Sequence, residues 1–459
     1  MDWHPLRMPT HDDLPGGLAE IICDVKQNDR PWLRPSEWSR LGLASATGTL
    51  AQRLHALLQP DLAPYIARCR TGEAVALDAN EHAHGDDGHT IEAEAEAEAN
   101  HNAGTAAGEQ RRCWRSPAVM TDPPTRQLFV DAAENPNVPV VMRNLTAKWK
   151  AAAPAASGEP GSRWAFQNMR ERFPDSFFRV SDTHGAVVTL DEYAQYAEST
   201  TDDCPFGLYD SQFGDDERHD LVGEYHVPEC LNQDLFQKCD ARPPFRWILI
   251  GPRRSGTAMH VDPLLTHAWV TLLQGAKRWC LFPAGTPREL LGCWVEVHGS
   301  FVDKQPTSSS PRNDGPSTAG GAEAPRGEQP SSERAHIQGG RGRRAAVAAA
   351  RGDEEAHHNG RDAEEAQPDG GASSRSSPAE LPRLNAAEWF LKVYPSIHAA
   401  DSGFPAKYRP IEVLQLPGDT VYVPAGWPHV VLNVGAMNVA VTHNFATANG
   451  PYGSVSMMT

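Results

Sequence analysis

The chain has 459 residues, 40% of them apolar, with 42 Lys and Arg against 59 Asp and Glu, a net charge of −17. That balance argues against a globally basic nucleic-acid binder and leaves enough apolar material for a sizeable core in part of the chain. No run approaches the roughly 18 apolar residues that span a bilayer. The start, MDWHPLRMPTHDD, has no secretory h-region, and eight scattered cysteines form no C-x-x-C pair. The expectation is a protein of the nucleus or cytoplasm, with free thiols and no membrane partner.

In chain order, residues 1–74 read as a small helical region, with helical apolar spacing at Leu50, Leu54, Leu57 and Leu58. Leu14-Pro15-x-x-Leu18, Ile21, Ile22, Trp38, Leu41, Leu43 and Ala44 resemble an F-box, a helical module that docks ubiquitin-ligase scaffolds. A helical extension packed on the following domain is the favoured reading. Residues 75–119 are a low-complexity linker containing HAHGDDGH and EAEAEAEA. Residues 120–298 and 384–447 read as globular. Between them, 299–383 are rich in Ser, Pro, Gly, Arg, Ala and Glu and cannot bury enough apolar surface to offset chain entropy, which predicts a disordered insertion. Its basic cluster is Arg341-Gly342-Arg343-Arg344; an RNA partner is one reading and a solvated charge run the stronger one. Residues 448–459 read as a flexible tail. Loop closure costs grow only logarithmically with length, so the two globular pieces can be one domain with a large insertion.

The runs RWILIG, HAWVTLL, RWCLFP, TVYVP, HVVLNV and NVAVTHNF are short, rich in β-branched and aromatic residues, and punctuated by Gly or Pro. Many short strands with turn signals predict a mainly β fold with flanking helices, a sandwich or small barrel of which the jelly roll is one form.

Three H-x-D pairs occur: His11/Asp13, His84/Asp86 and His260/Asp262. The first two lie in polar, turn-like sequence and read as surface dipeptides. The third follows a strand and the turn Gly251–Gly256. On a strand, residues i and i+2 share a face, so His260 and Asp262 can be adjacent ligands while Met259 and Val261 point away. His429 opens the strand after Pro424-Ala425-Gly426-Trp427-Pro428, with Val431 and Asn433 on its face. Two histidines and one carboxylate form the facial triad of non-haem iron, with positions left open for cosubstrate and O₂. Alone, His429 would read as a satisfied core histidine.

Lys277, on the strand one hairpin after the H-x-D strand, is a candidate partner for a carboxylate: buried, it would be costly unless paired. An exposed turn lysine is the equal alternative from local sequence. Thr257 and Thr442 offer hydroxyls. Thr442 and Asn444 share a strand face, opposite Val441 and His443.

Together, RPPFRWILIGPRRSGTAMHVDPLLTHAWVTLLQGAKRWCLFP, TPREL, RPIEVLQLPGDTVYVPAGWPHVVLNV and T-x-NFA resemble the JmjC-domain oxygenases, and among them the bifunctional arginine demethylase and lysyl-hydroxylase group. The resemblance covers roughly 120–298 and 384–447. It implies a double-stranded β-helix (jelly-roll, cupin-like) JmjC domain using Fe(II), 2-oxoglutarate and O₂, with ascorbate as a support for activity. It implies His260, Asp262 and His429 as metal ligands, Lys277 and Thr442 on the distal carboxylate of 2-oxoglutarate, Thr257 lining the pocket, and Asn444 at a pocket-side asparagine position. It implies a dioxygenase that hydroxylates lysyl or arginyl side chains of proteins, or demethylates them through hydroxylation. Two positions depart from the pattern. Val270 stands where the family has Asn, and Gly207 where it has Tyr, with Tyr209 as a candidate replacement for that ring. These losses keep open a non-catalytic binding module or F-box-type adaptor; the basic cluster keeps open an RNA-directed oxygenase.

Overall fold

Strands that alternate β-branched, aromatic and polar residues build two facing sheets. The computed structural model describes residues 17–58, 115–154, 161–181, 186–239, 242–297, 381–399 and 401–449. Most of the linker, insertion and tail, the basic cluster at 341–344, and the His11/Asp13 and His84/Asp86 pairs therefore lie outside the described residues. These described residues belong to one unit, formed by 1–303 and 380–459.

The larger sheet has seven strands: β1 (Ala118–Met120), β2 (Val140–Met142), β12 (Thr420–Val423), β8 (His267–Gln274), β14 (Met437–Phe445), β6 (Arg246–Pro252) and β5 (Leu208–Asp210). The smaller has five: β10 (Glu296–Val297), β7 (Gly256–Val261), β13 (His429–Asn433), β9 (Lys277–Leu281) and β11 (Ile411–Gln415). A separate hairpin joins β3 (Phe177–Arg179) to β4 (Val187–Thr189). From β6 to β9, and again from β11 to β14, each strand lies in the opposite sheet to its predecessor. That alternation is the double-stranded β-helix.

Three apolar layers follow from strand alternation. Val141, Val270, Trp279, Val413, Val421 and Val431 lie between the sheets. The outer face of the seven-stranded sheet packs on Trp149, Trp164, Tyr193 and Phe213. The outer face of the five-stranded sheet, including Met259 and Val261, packs on a helix introduced below.

Four of the helices matter here: α1 (Leu18–Asp29), α2 (Gly48–Leu58), α3 (Leu190–Ser199) and α4 (Ala386–Lys392). Capping boxes start two of them: Thr189 with Glu192 at α3, and Asn385 with Glu388 at α4. In α4 all of Ala386, Ala387, Trp389, Phe390 and Leu391 are buried, because the helix is wedged between the five-stranded sheet and α2. None of the helices among the described residues is long and apolar enough to cross a membrane.

The N-terminal helices are built into the barrel domain. Lys26 Nζ pairs with Asp202 at 2.6 Å, and Arg30 donates to the Cys204 carbonyl at 2.8 Å. Asp203 accepts from the backbone of Leu41 and Leu43, at 2.7 and 2.8 Å. Leu18, Trp38 and Leu43, which carry part of the F-box resemblance, are buried in the clusters on the two sheets. Trp38 also lies beneath the Arg30 guanidinium, 4.0 Å from its ring centre. Trp38→Ala is expected to cost about 3–5 kcal/mol of folding stability. Urea denaturation measures it, and a loss below about 1 kcal/mol would mean the extension does not share the core.

The six strand runs read from sequence correspond to β6, β8, β9, β12, β13 and β14. Two boundaries differ. The edge strand β1 starts at Ala118, within the predicted linker. Strand β7 ends at Val261, so Asp262 is not on the strand but caps the turn Pro263–Leu265. Pro263 has no N–H to continue the ladder. With φ −56° and ψ 145°, Asp262 remains extended, and the i, i+2 alternation still carries its carboxylate to the His260 side.

Candidate metal centre and cosubstrate cavity

Strands β7 and β13 pair antiparallel, and His429 sits directly opposite His260. Gly256 permits this close approach, since a Cβ there would collide with the Val431 carbonyl oxygen. A bulge between His429 and Val431 then adjusts the register. The imidazole centroids of His260 and His429 are 4.1 Å apart. His260 Nε2 is 3.8 Å from Asp262 Oδ1, and one ligand atom from each of the three residues lies within 4.8 Å of the others.

Each histidine Nδ1 is held by a backbone carbonyl: His260 on Ala258 at 2.8 Å and His429 on Trp427 at 2.9 Å. A carbonyl only accepts, so Nδ1 carries the proton and Nε2 keeps its lone pair for a metal. Burial holds the His429 imidazole down at about 4, so it is neutral at physiological pH. Two imidazoles and a carboxylate converging on one point fit a ferrous ion.

The triad opens into a cavity of about 680 Å³ between the sheets. Lys277, Thr257, Thr442 and Asn444 all line it, so every candidate residue meets in one chamber. Lys277 is buried at 6% exposure, and its Nζ donates to Asn433 Oδ1 at 2.8 Å. Asn433 in turn donates to Ser255 Oγ at 2.7 Å. No carboxylate pairs with Lys277 among the described residues, which leaves its charge for a ligand. Register pairs His429 with Leu281 and Asn433 with Lys277, so the ammonium's strand position lies roughly 13 Å along β9 from the level of His429. The long lysine side chain and a five-carbon diacid together bridge such a span.

On the opposite wall Thr442 pairs with Val270 and Asn444 with Ala268. Thr442 Oγ1 donates to the Trp269 carbonyl at 2.9 Å, and Asn444 Nδ2 to Thr266 Oγ1 at 2.9 Å. The Thr442 hydroxyl proton is thereby committed, which leaves lysine as the main charge partner. Val270 makes this wall apolar. Tyr209 lies against Gly207: a Cβ there would come 3.0 Å from Tyr209 Cε2. The tyrosine hydroxyl reaches 3.4 Å from Thr257 Oγ1, and burial pushes it up to about 12, so it stays protonated. The ring of Tyr209 thus stands in the cavity beside the glycine that departs from the family pattern. Sequence reasoning gave Asn433 no role, although its i+4 strand spacing from His429 placed it on the right face.

Burial lowers the Lys277 ammonium to about 8. Below that pH the free protein holds a charged lysine ready for a carboxylate; above it, binding must first restore the proton. The KM for 2-oxoglutarate is therefore expected to rise about tenfold per pH unit above about 8. The profile of KM against pH checks this, and a flat profile to pH 9.5 would contradict it.

A double-sheet barrel with a two-histidine, one-carboxylate centre inside defines the cupin-like oxygenases of JmjC type, and the chain belongs to that family. Residues 125–450 match the family model described as a cupin-like domain. The chain is 30% identical over 320 residues to the bifunctional arginine demethylase and lysyl-hydroxylase psr-1 of Caenorhabditis briggsae, covering 68% of this chain and 57% of that one. It is 28% identical over 311 residues to the lysine-specific demethylase JMJ21 of Arabidopsis thaliana, covering 67% and 23%. A shorter match, 30% over 69 residues, covers 15% of this chain and 16% of a 2-oxoglutarate and iron-dependent oxygenase JMJD4 homolog of Drosophila melanogaster. The chain spans just over half the length of psr-1, and less of the others.

Proposed function

We propose that the chain is an Fe(II)- and 2-oxoglutarate-dependent dioxygenase that hydroxylates lysyl or arginyl side chains of proteins, or removes methyl groups from them through hydroxylation. One observation carries this reading: His260, Asp262 and His429 converge in the same cavity as a buried, carboxylate-free Lys277. The printed names of the relatives, demethylase, lysyl-hydroxylase and 2-oxoglutarate and iron-dependent oxygenase, point the same way.

When bound, iron with 2-oxoglutarate and O₂ supplies the oxidising chemistry for C–H hydroxylation, and the protein positions the groups. His260 and His429 present Nε2 through their carbonyl-anchored Nδ1 atoms, and Asp262 adds the anionic ligand. Lys277, steadied by Asn433, would hold the far carboxylate of the cosubstrate by a charge-assisted hydrogen bond. Val270, Val431 and Trp279 give the chamber apolar walls.

The test is iron- and ascorbate-supported succinate release from 2-oxoglutarate, with mass spectrometry of lysine- and arginine-bearing peptides for the gain of one oxygen or loss of a methyl. Absence of succinate from the iron-loaded chain would overturn the enzymatic reading.

A further inference from the structure

A second concavity, of about 300 Å³, lies behind the cavity wall. The two share a partition. Along the segment 242–247, Pro243, Pro244 and Trp247 line the iron cavity, while Arg242, Phe245 and Arg246 line the second pocket. On β14, His443 and Phe445 face the second pocket, and Asn444 lines both. Both therefore open at the same end of the seven-stranded sheet, one on each side of the start of β6.

The second pocket is cationic. Arg242 is ion-paired with Asp234, and Asp234 also accepts from the backbone N–H of Phe236 and Ala446, at 3.1 Å each. That carboxylate is committed. Arg246 stands 5.7 Å from the ring centres of both Phe213 and Phe245 and pairs with no carboxylate among the described residues. At the floor, the Tyr225 hydroxyl and His443 Nε2 are 2.8 Å apart. Burial, with Arg246 and Arg242 facing it, holds that imidazole down at about 3. His226 and Gln237 form an exposed rim. A guanidinium with no carboxylate partner among the described residues, in an aromatic-walled hollow, is a receptor for a carboxylate.

We propose that this pocket is a specificity subsite that takes the Glu or Asp side chain of the same polypeptide whose target side chain enters the iron cavity. The inference rests on the protein-oxygenase reading above. Passing around the start of β6 from one face of the sheet to the other takes about 10 Å, on the scale of one packed layer, which an extended peptide covers in about three residues. The preferred substrate thus carries an acidic residue some two to four positions from the modified one. A nucleic acid suits the site less well, because a single free guanidinium in a chain of net charge −17 gives little purchase on a polyanion.

The experiment measures fluorescence anisotropy of the full chain with labelled peptides carrying a central Lys or Arg. One series has Glu two to four residues away on either side; its twins have Gln. The Glu peptides are expected to bind about tenfold tighter than their twins, with the advantage declining as salt rises. Arg246→Met is expected to erase the difference, and Arg246→Glu to transfer the preference to peptides with Lys at the flank. The charge reversal keeps the idea testable if the methionine variant misfolds. Equal binding of the twins, discrimination that survives Arg246→Met, or an Arg246-dependent preference for a single-stranded RNA over the Glu peptides would each overturn the subsite. Binding needs no turnover. A chain that discriminates the peptides but releases no succinate refutes the oxygenase reading, whereas one that releases succinate without discriminating refutes only the subsite.

Discussion

Asp262→Ala is expected to reduce iron-dependent succinate release by more than about 100-fold. Groups that merely orient a metal ligand typically account for about 10- to 100-fold in affinity or activity, and a ligand itself should exceed that. Asp262 is the sole anionic member of the triad, so its loss removes the charge that favours a divalent cation over water as well as one ligand. The same variant is expected to lose Fe(II) binding in an anaerobic titration, while its circular dichroism stays that of the parent, because Asp262 lies beyond the end of β7. Retention of full 2-oxoglutarate turnover by Asp262→Ala would remove the foundation of the metal assignment.

Lys277→Met separates affinity from stability, with opposite signs. The lost charge-assisted hydrogen bond, about 1.5–3 kcal/mol, corresponds to a KM for 2-oxoglutarate raised roughly 10- to 150-fold. Folding should not suffer. The ammonium is buried with no carboxylate partner among the described residues, and burial lowers its pKa from the usual 10.5 to about 8. A lysine depressed in the folded state costs stability fully below about 8 and is relieved as pH rises toward the unfolded value. A thioether of similar length carries no such cost, so the cosubstrate-free variant is expected to melt at or above the parent temperature at pH 7. Steady-state kinetics and thermal unfolding with and without 2-oxoglutarate read both effects. A melting temperature many degrees lower, or an unchanged KM, would contradict this role.

The parts of the site that rest on strand periodicity were legible in the sequence. His260 and Asp262 share a face because residues two apart in extended chain do so, and the apolar, Gly- and Pro-bounded runs located β13 and β14. What periodicity does not encode is depth. Lys277 was evenly poised between exposed turn and buried cation until its neighbours in β13 were in place. Asn433 had the right face but no visible partner, since its bond to Lys277 joins positions 156 residues apart. Short edge strands such as β1 and β5 carry too few residues to show an alternation. The second pocket was equally hidden: Arg242 and Arg246 gain meaning only when β14 brings His443 beside them.

The order of strands within the sheets bears on how the molecule comes into being. Strand β13 is the middle member of the five-stranded sheet, and β14 lies inside the seven-stranded one, hydrogen-bonded to β8 and β6 on either side. These two strands, the latest in chain order among the described elements, are thus keystones, not trim. Until β13 is in place nothing joins β7 to β9, and His260 and Asp262 stand without His429. Without β13 the five-stranded sheet falls into two pieces, and without β14 so does the seven-stranded one.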